Sequence, residues 1–178
     1  MNVLLLILAI VIGIIALILI AGLFIRKEYA LEQHIVIEKP NETVFNFIRM
    51  LKNQEHYNTW WRIDPTTKKE FRGTDGSVGA VATWDSINKK AGKGEQEIIC
   101  LEENKRIDHE LRFEKPFEGV AHAYLITEKF NGGTSVKWGF HGENKYPMNI
   151  MFTLFGLGKA LERDLYTSLE KLKSTLEK

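Results

Sequence analysis

The chain opens on an unbroken apolar run. From Val3 to Ile25 no residue is charged and nearly all are Leu, Ile, Val or Ala. At ~1.5 Å rise per residue this makes a helix of ~35 Å, longer than a ~30 Å hydrocarbon core. One transmembrane helix is the reading. A cleaved signal peptide is the rival, but the run exceeds an h-region of about 7–15 residues, no basic stretch precedes it, and no clear small-residue cleavage site follows. A buried core helix would show a polar face, and this run has none. The chain closes on the opposite pattern. Between Pro147 and Lys178, Leu154, Leu157, Leu161, Leu165, Leu169, Leu172 and Leu176 recur at steps of three and four, with Lys159, Glu162, Arg163, Glu170, Lys173 and Glu177 between them. This spacing predicts one amphipathic helix of about thirty residues whose apolar stripe needs a broad partner. In its first half, bulky Ile150, Met151, Phe152 and Phe155 adjoin Gly156 and Gly158. Each glycine costs ~1 kcal/mol against alanine inside a helix. That half is therefore expected to bend, to approach a neighbour closely or to border open space, as the lid or wall of a pocket.

Between these two elements the polarity alternates with a period near two. Leu31, Gln33, Ile35 and Ile37 share one side of a first strand within Glu28 to Glu38. Pro40 to Thr43 starts a helix, with Asn41 or Thr43 as its cap, and Val44, Phe45, Phe47, Ile48 and Leu51 give it about three turns. Lys52 to Pro65 is irregular and aromatic. Its adjacent Trp60 and Trp61 cannot face the same way, so one is expected in the core and the other at a rim or surface. A meander follows: Ala80 to Asp85, Glu95 to Glu102, Arg106 to Phe113, Val120 to Phe130 and Thr134 to Gly142, separated by turn signals such as Asn131-Gly132-Gly133. Short turns imply antiparallel neighbours, and alternate polar positions imply one wet face. The fold class is thus α+β, a curved antiparallel sheet of about six or seven strands covered by a long carboxyl-terminal helix.

Charge adds location. Lys and Arg number 24 and Asp and Glu 23, for a net charge of +1, so no field argues for nucleic acid. Arg26 and Lys27 follow the apolar run and no Lys or Arg precedes it, which places the domain in the cytoplasm by the positive-inside rule. Residues 1–27 are read as transmembrane anchor with basic flank, and 28–178 as the folded domain. Lys89, Lys90 and Lys93 form a basic hairpin tip that could touch anionic lipid or simply be solvated.

The order of these elements and several local strings resemble a known family. The opening strand is followed by Pro40 and the Val44-Phe45 helix. Next come Trp60 to Pro65, Gly73 through Gly76 to Gly79 with Trp84 after it, Gly92 and Gly94, then Phe113 and Pro116. Gly133-Thr134-Ser135-Val136-Lys137-Trp138 introduces the last strand, and Leu169 to Lys173 closes the helix. Over residues 29 to 178 this resembles the polyketide cyclase/dehydrase-like branch of the SRPBCC superfamily, the START-related helix-grip fold. The resemblance implies a sheet curled around the last helix with a cavity between them that takes an apolar or amphipathic small molecule or lipid. Trp84, His109, Phe113, Tyr124, Trp138, Phe140, Met151 and Phe155 are expected to line it.

Candidate chemistry is sparse. His109 shares its face with Ile107, Leu111 and Phe113, so on a concave face its imidazole enters apolar space, where a lowered pKa would suit a base; a core histidine satisfied by one hydrogen bond is the plainer reading. His122, with Tyr124 and Glu128, points inward or outward according to register. These two histidines are the candidates for a cyclase or hydrolase-type general base; otherwise the domain binds without catalysis, or is an interaction module of a membrane complex. His34, His56, His109, His122 and His141 are scattered and Cys100 has no partner at ligand spacing, so no metal is expected. No cofactor motif is present, and a lone strand cysteine such as Cys100 is expected to be a small buried hydrophobe.

Overall fold

The computed structural model describes residues 2–178. Helix α1 (Val3–Gly22) is long and apolar enough to cross a membrane, and protein covers none of its apolar length. A core helix would be covered. After it come β1 (Glu28–Ile37), α2 (Asn41–Ile48), a 3-10 turn (Leu51–Asn53), and two single-turn helices, α3 (Gln54–Tyr57) and α4 (Thr59–Arg62). Six strands follow: β2 (Lys68–Arg72), β3 (Val81–Asp85), β4 (Lys93–Glu102), β5 (Arg106–Lys115), β6 (Gly119–Phe130) and β7 (Gly133–Glu143). Helices α5 (Met148–Leu154) and α6 (Leu157–Leu176) close the chain.

The strands form one seven-stranded antiparallel sheet in the order β1-β7-β6-β5-β4-β3-β2. Register defines its two ends. The pairs Glu28–Glu143, Ala121–Gly142, Phe113–Gly119, Lys93–Lys115 and Lys68–Asp85 lie at the end where α1 enters. Ile37–Thr134, Phe130–Gly133, Glu102–Arg106 and Arg72–Val81 lie at the far end. Helix α6 crosses the concave face from the α1 end to the far end. Gly158 lies beside Leu31, whereas Lys173 Nζ donates to the Val36 carbonyl at 2.8 Å and Glu177 accepts from the Glu38 N–H at 2.7 Å.

The core fills the far half of this face. Ile37, Phe45, Ile48, Leu51, Ile98, Ile107, Val136, Leu165, Leu169 and Leu172 are no more than 1 % exposed. They are the apolar alternate positions of the strands and the helical stripes of α2 and α6, brought together because each element has only one side to bury. Polar contacts fix the connections. Asp75 accepts the Leu51 N–H at 2.7 Å, capping the 3-10 turn. Ser168, buried on α6, accepts the Thr59 N–H at 3.0 Å and so seats α4.

Several expectations change. The predicted thirty-residue helix is two helices, because Gly156 takes a left-handed conformation (φ 60°) at which an α-helix cannot continue. The leucine spacing passes through the break unaltered, so periodicity alone conceals it. Helix α2 stops at Ile48, and the irregular stretch after it is wound into single turns. Asn41 does not cap α2; its Nδ2 donates to the Asn104 carbonyl at 2.7 Å across the far end. Cys100 is exposed, beside a register shift in β4 that disrupts the alternation. Trp61 enters the core, while Trp60 is half-buried and edge-on to Trp138 at 6.4 Å.

Leu169 and Leu154 belong to the same sequence stripe but differ in burial, at 0 % and 67 % exposed. Leu169→Ala should cost about 2–5 kcal/mol of stability. Leu154→Ala should stay within about 0.5 kcal/mol. Urea unfolding of the detergent-solubilised protein distinguishes the two.

Candidate ligand cavity

Beneath the first turns of α6 the concave face is not filled. A cavity of about 140 Å³ lies there, in the half of the sheet nearest α1. Trp84, Gln96, His109, Leu111, Phe113, Ala123, Leu125, Trp138 and Phe140 line it from the strands, Trp60, Trp61, Gln54 and Asn58 from the single-turn helices, and Leu161 from α6. The strand residues converge because they are alternate positions on neighbouring strands: His109 is opposite Ala123, and Leu125 opposite Trp138. Lys90 and Ala91 border it from the β3–β4 loop.

The aromatic side chains are held. Trp84 Nε1 donates to the Ala91 carbonyl at 2.9 Å, and its ring meets Phe113 edge-on at 5.9 Å. Trp138 is braced by Tyr57 at 5.8 Å and Trp60 at 6.4 Å, both edge-to-face. Gln54 accepts from Asn58 Nδ2 at 2.9 Å. Asp64 fixes the border loop. Its carboxylate accepts the Ser86 hydroxyl at 2.5 Å, the Thr66 hydroxyl at 2.6 Å and the Thr66 and Ile87 amides. These hydrogen bonds, from Ser86 first and then Thr66, hold its pKa well below the usual carboxylate range.

His109 is the polar group of the wall. It is 1 % exposed, and its Nε2 has no hydrogen-bond partner among the described residues. Desolvation lowers its pKa to about 4, outweighing the Asp108 charge that acts the other way. The imidazole is therefore neutral at physiological pH. Behind Trp138 the buried Tyr57 hydroxyl is likewise unpartnered, and burial pushes its pKa up, so it stays protonated. Each such orphan carries a desolvation cost of about 1–3 kcal/mol, and His109, which lines the cavity, is the one a ligand atom could relieve.

Of the residues expected to line the cavity, the structure brings together Trp84, His109, Phe113, Trp138 and Phe140. Tyr124 lies on the outer face of the sheet, donating to Glu32 at 2.6 Å under the Arg106 guanidinium. His122 is also outside, tilted against His141 at 5.4 Å, because the inward positions of β6 are Ala121, Ala123, Leu125 and Thr127. The larger residues of β6 face out and the small ones in, which the alternation could not decide. Met151 and Phe155 are 44 % and 62 % exposed and lie outside the cavity. Helix α5 turns away to pack on the base of α1, and Leu161, from the later part of the leucine stripe, takes the place beside the cavity. The lining roles of Gln54, Asn58 and Gln96 carry no sequence signal. Asp64 does: Asp-x-Thr is the pattern of a side chain that turns its own backbone.

No protein-family model matches the sequence, and no curated protein matches it. Solved structures do. Protein CV1439 from Chromobacterium violaceum superposes with a TM-score of 0.60 at 14 % identity, over 84 % of this chain and 97 % of that one. Ara h 8.0201 gives 0.58 at 13 % identity, over 84 % and 97 %. The di-domain ARO/CYC protein BexL gives 0.60 at 15 % identity, over 85 % of this chain and 50 % of that one. The fold is the helix grip. At such identities the likeness concerns architecture, and function must come from the site. In this helix-grip domain the grip is tight at the far end and open at the α1 end.

The neutral His109 makes stability pH-dependent. An unfolded histidine titrates near ~6.5, so between that value and about 4 the unfolded chain binds a proton that the folded one does not. Stability is complete above the unfolded pKa and falls on acidification. Between pH 7.5 and 5.5 the loss attributable to His109 should be about 1 kcal/mol. His109→Gln should flatten that slope in chemical denaturation at the two pH values.

Proposed function

We propose that the protein is a membrane-anchored binding domain of the polyketide cyclase/dehydrase-like type that holds a small apolar or amphipathic molecule between its sheet and α6, without catalysis. The observation that carries this reading is the apolar cavity with a buried, neutral imidazole whose Nε2 lacks a partner. A pocket of this kind needs few polar groups to orient its ligand. Size narrows the class. An apolar cavity of roughly 150 Å³ admits benzene, whereas drug-sized ligands occupy about 300–1,000 Å³. At about 140 Å³ the enclosed part of the ligand is one ring or a short branched chain, and anything longer extends through the mouth.

Catalysis finds little support. A general base needs a group that orients it; His109 Nε2 meets no carboxylate or hydroxyl, and His122 faces away from the cavity. Anchoring is supported by how α1 ends. Asn149, buried on α5, donates through Nδ2 to the Gly22 carbonyl at 2.8 Å and the Ile25 carbonyl at 3.1 Å. A helix end has carbonyls without intrahelical donors, and the folded domain supplies one, as suits a retained helix rather than a removed signal. Arg26 and Lys27, directly after α1, favour the cytoplasmic side for the domain.

Phenol, with one ring and one hydroxyl, is a suitable probe. It should give saturable binding to the full-length protein in detergent micelles, read by saturation-transfer NMR, and Ala123→Phe should weaken it about tenfold or more by filling the space. Equal binding by the variant, at unchanged thermal stability, would count against this cavity as the site. Native mass spectrometry after gentle extraction tests for a copurifying ligand directly.

A further inference from the structure

Helix α5 takes no part in the cavity, and beside the exposed Thr153 it and the residue that ends it expose large apolar side chains. Leu154 and Phe155 are 67 % and 62 % exposed. Two loops at the same end of the sheet repeat the pattern. Phe117, between β5 and β6, is 61 % exposed, and Ile87, between β3 and β4, is 88 % exposed. Scattered exposed apolar residues are ordinary, but a gathering of large ones marks a contact surface. Register gathers these: Lys93–Lys115, Phe113–Gly119 and Glu28–Glu143 put both loops and the β7–α5 connection at the end where α1 enters. Toward the far end the exposed large apolar residues among those described are Val78, Ile99 and Phe130, which lie on separate elements.

The depth of this surface is set by contacts to α1. The Tyr146 hydroxyl donates to the Leu19 carbonyl at 3.3 Å, inside the apolar span. Ile150 packs so closely on Gly22 that a Cβ there would lie 2.2 Å from Ile150 Cδ1. Helix α5 therefore stands beside the last turn of α1, not beyond it. When α1 spans a bilayer, that turn lies at the hydrocarbon–headgroup boundary, where tyrosine is favoured and amphipathic helices lie flat.

We infer that α5 and the β3–β4 and β5–β6 loops form a second membrane contact, placing Ile87, Phe117, Leu154 and Phe155 in the lipid interface so that the cavity opens onto the bilayer. The occupant is the lipid surface because the patch is continuous with the span. The cavity is part of the same end: Trp84 and Phe113 sit near the α1-end termini of β3 and β5, and Lys90 and Ala91 lie in the β3–β4 loop itself. Its ligand then exchanges with lipid. Lys89, Lys90 and Lys145 near the patch are only partly offset by Glu118 and Glu143, but the exposed side chains that carry the contact are apolar, so zwitterionic lipid is the surface to test.

This inference rests on α1 spanning the membrane, and the test separates the two. Full-length Cys100→Ser protein is placed in phosphatidylcholine nanodiscs and labelled with an environment-sensitive fluorophore at a single cysteine introduced as Phe117→Cys, Leu154→Cys, Ile12→Cys or Lys129→Cys. Ile12 lies within α1 and Lys129 at the far end. Nitroxide placed high on the acyl chain should quench the labels at 117 and 154 about threefold more than the label at 129. Quenching at 12 with 117 and 154 no different from 129 overturns the seating while leaving the anchor. No quenching at 12 overturns both. Labels at 117 and 154 shielded from lipid nitroxide and aqueous iodide alike would mean that a protein covers the patch, which also overturns it.

Discussion

Everything in this domain depends on how α6 lies on the sheet. Leu165, Leu169 and Leu172 are completely buried, and Ser168 among them binds Thr59. Over these turns the helix is clamped between β1 and the single-turn helices, and the far end is packed solid. Toward its start the helix keeps to β1, where Gly158 lies beside Leu31, and leaves the middle strands uncovered. Leu161 is half-buried and Leu157 exposed. A straight helix cannot follow a curved, twisted sheet along its whole length, and the volume left where they part is the cavity. Closing that gap would take a bulky α5 folded back over it, and the left-handed Gly156 sends α5 the other way.

The outer face makes the divergence tolerable. Arg112 bonds Glu95 and Glu97 at 2.7 Å each, and Glu110 beside them, so one guanidinium joins β4 and β5 along the wall of the cavity. Arg106 and Asp108 pair on the same face, with Tyr124 carrying the link to Glu32 on β1. Exposed pairs are worth little singly. As a lattice across neighbouring strands they oppose flattening of a sheet whose inner face is incompletely filled.

The legible parts of this architecture were those where polarity leaves one choice. The inner face of β5 could be read because Arg106, Asp108, Glu110 and Arg112 cannot enter an apolar interior unpaired, so His109 had to. On β6 both faces carry apolar groups, and small Ala121 and Ala123 face in, where the cavity and its aromatic rim need little volume. The hydrophobic pattern therefore left both registers of β6 open. The break at Gly156 was hidden because helical period is a property of spacing, whereas the direction of the chain is set by one dihedral pair. Asn149 and Tyr146 were illegible for another reason: their partners are backbone carbonyls more than 120 residues away (124 to 127), and no local pattern encodes them.

Those two residues change what α1 is. A span joined by a loose linker would leave the domain free to turn, but here only a few residues separate Gly22 from Glu28, and Asn149 holds both the end of the helix and the carbonyl of Ile25. The domain is thereby oriented, with its open end toward the span. Cavity size and orientation then bear on one another. A pocket that encloses about 140 Å³ cannot remove the whole of a long amphipathic molecule from water, at ~0.8 kcal/mol for each methylene left outside. If the mouth met water, the protruding part would oppose binding. Facing lipid, as inferred above, that part would stay in hydrocarbon, and the small cavity would have only to recognise the end of a molecule that reaches His109.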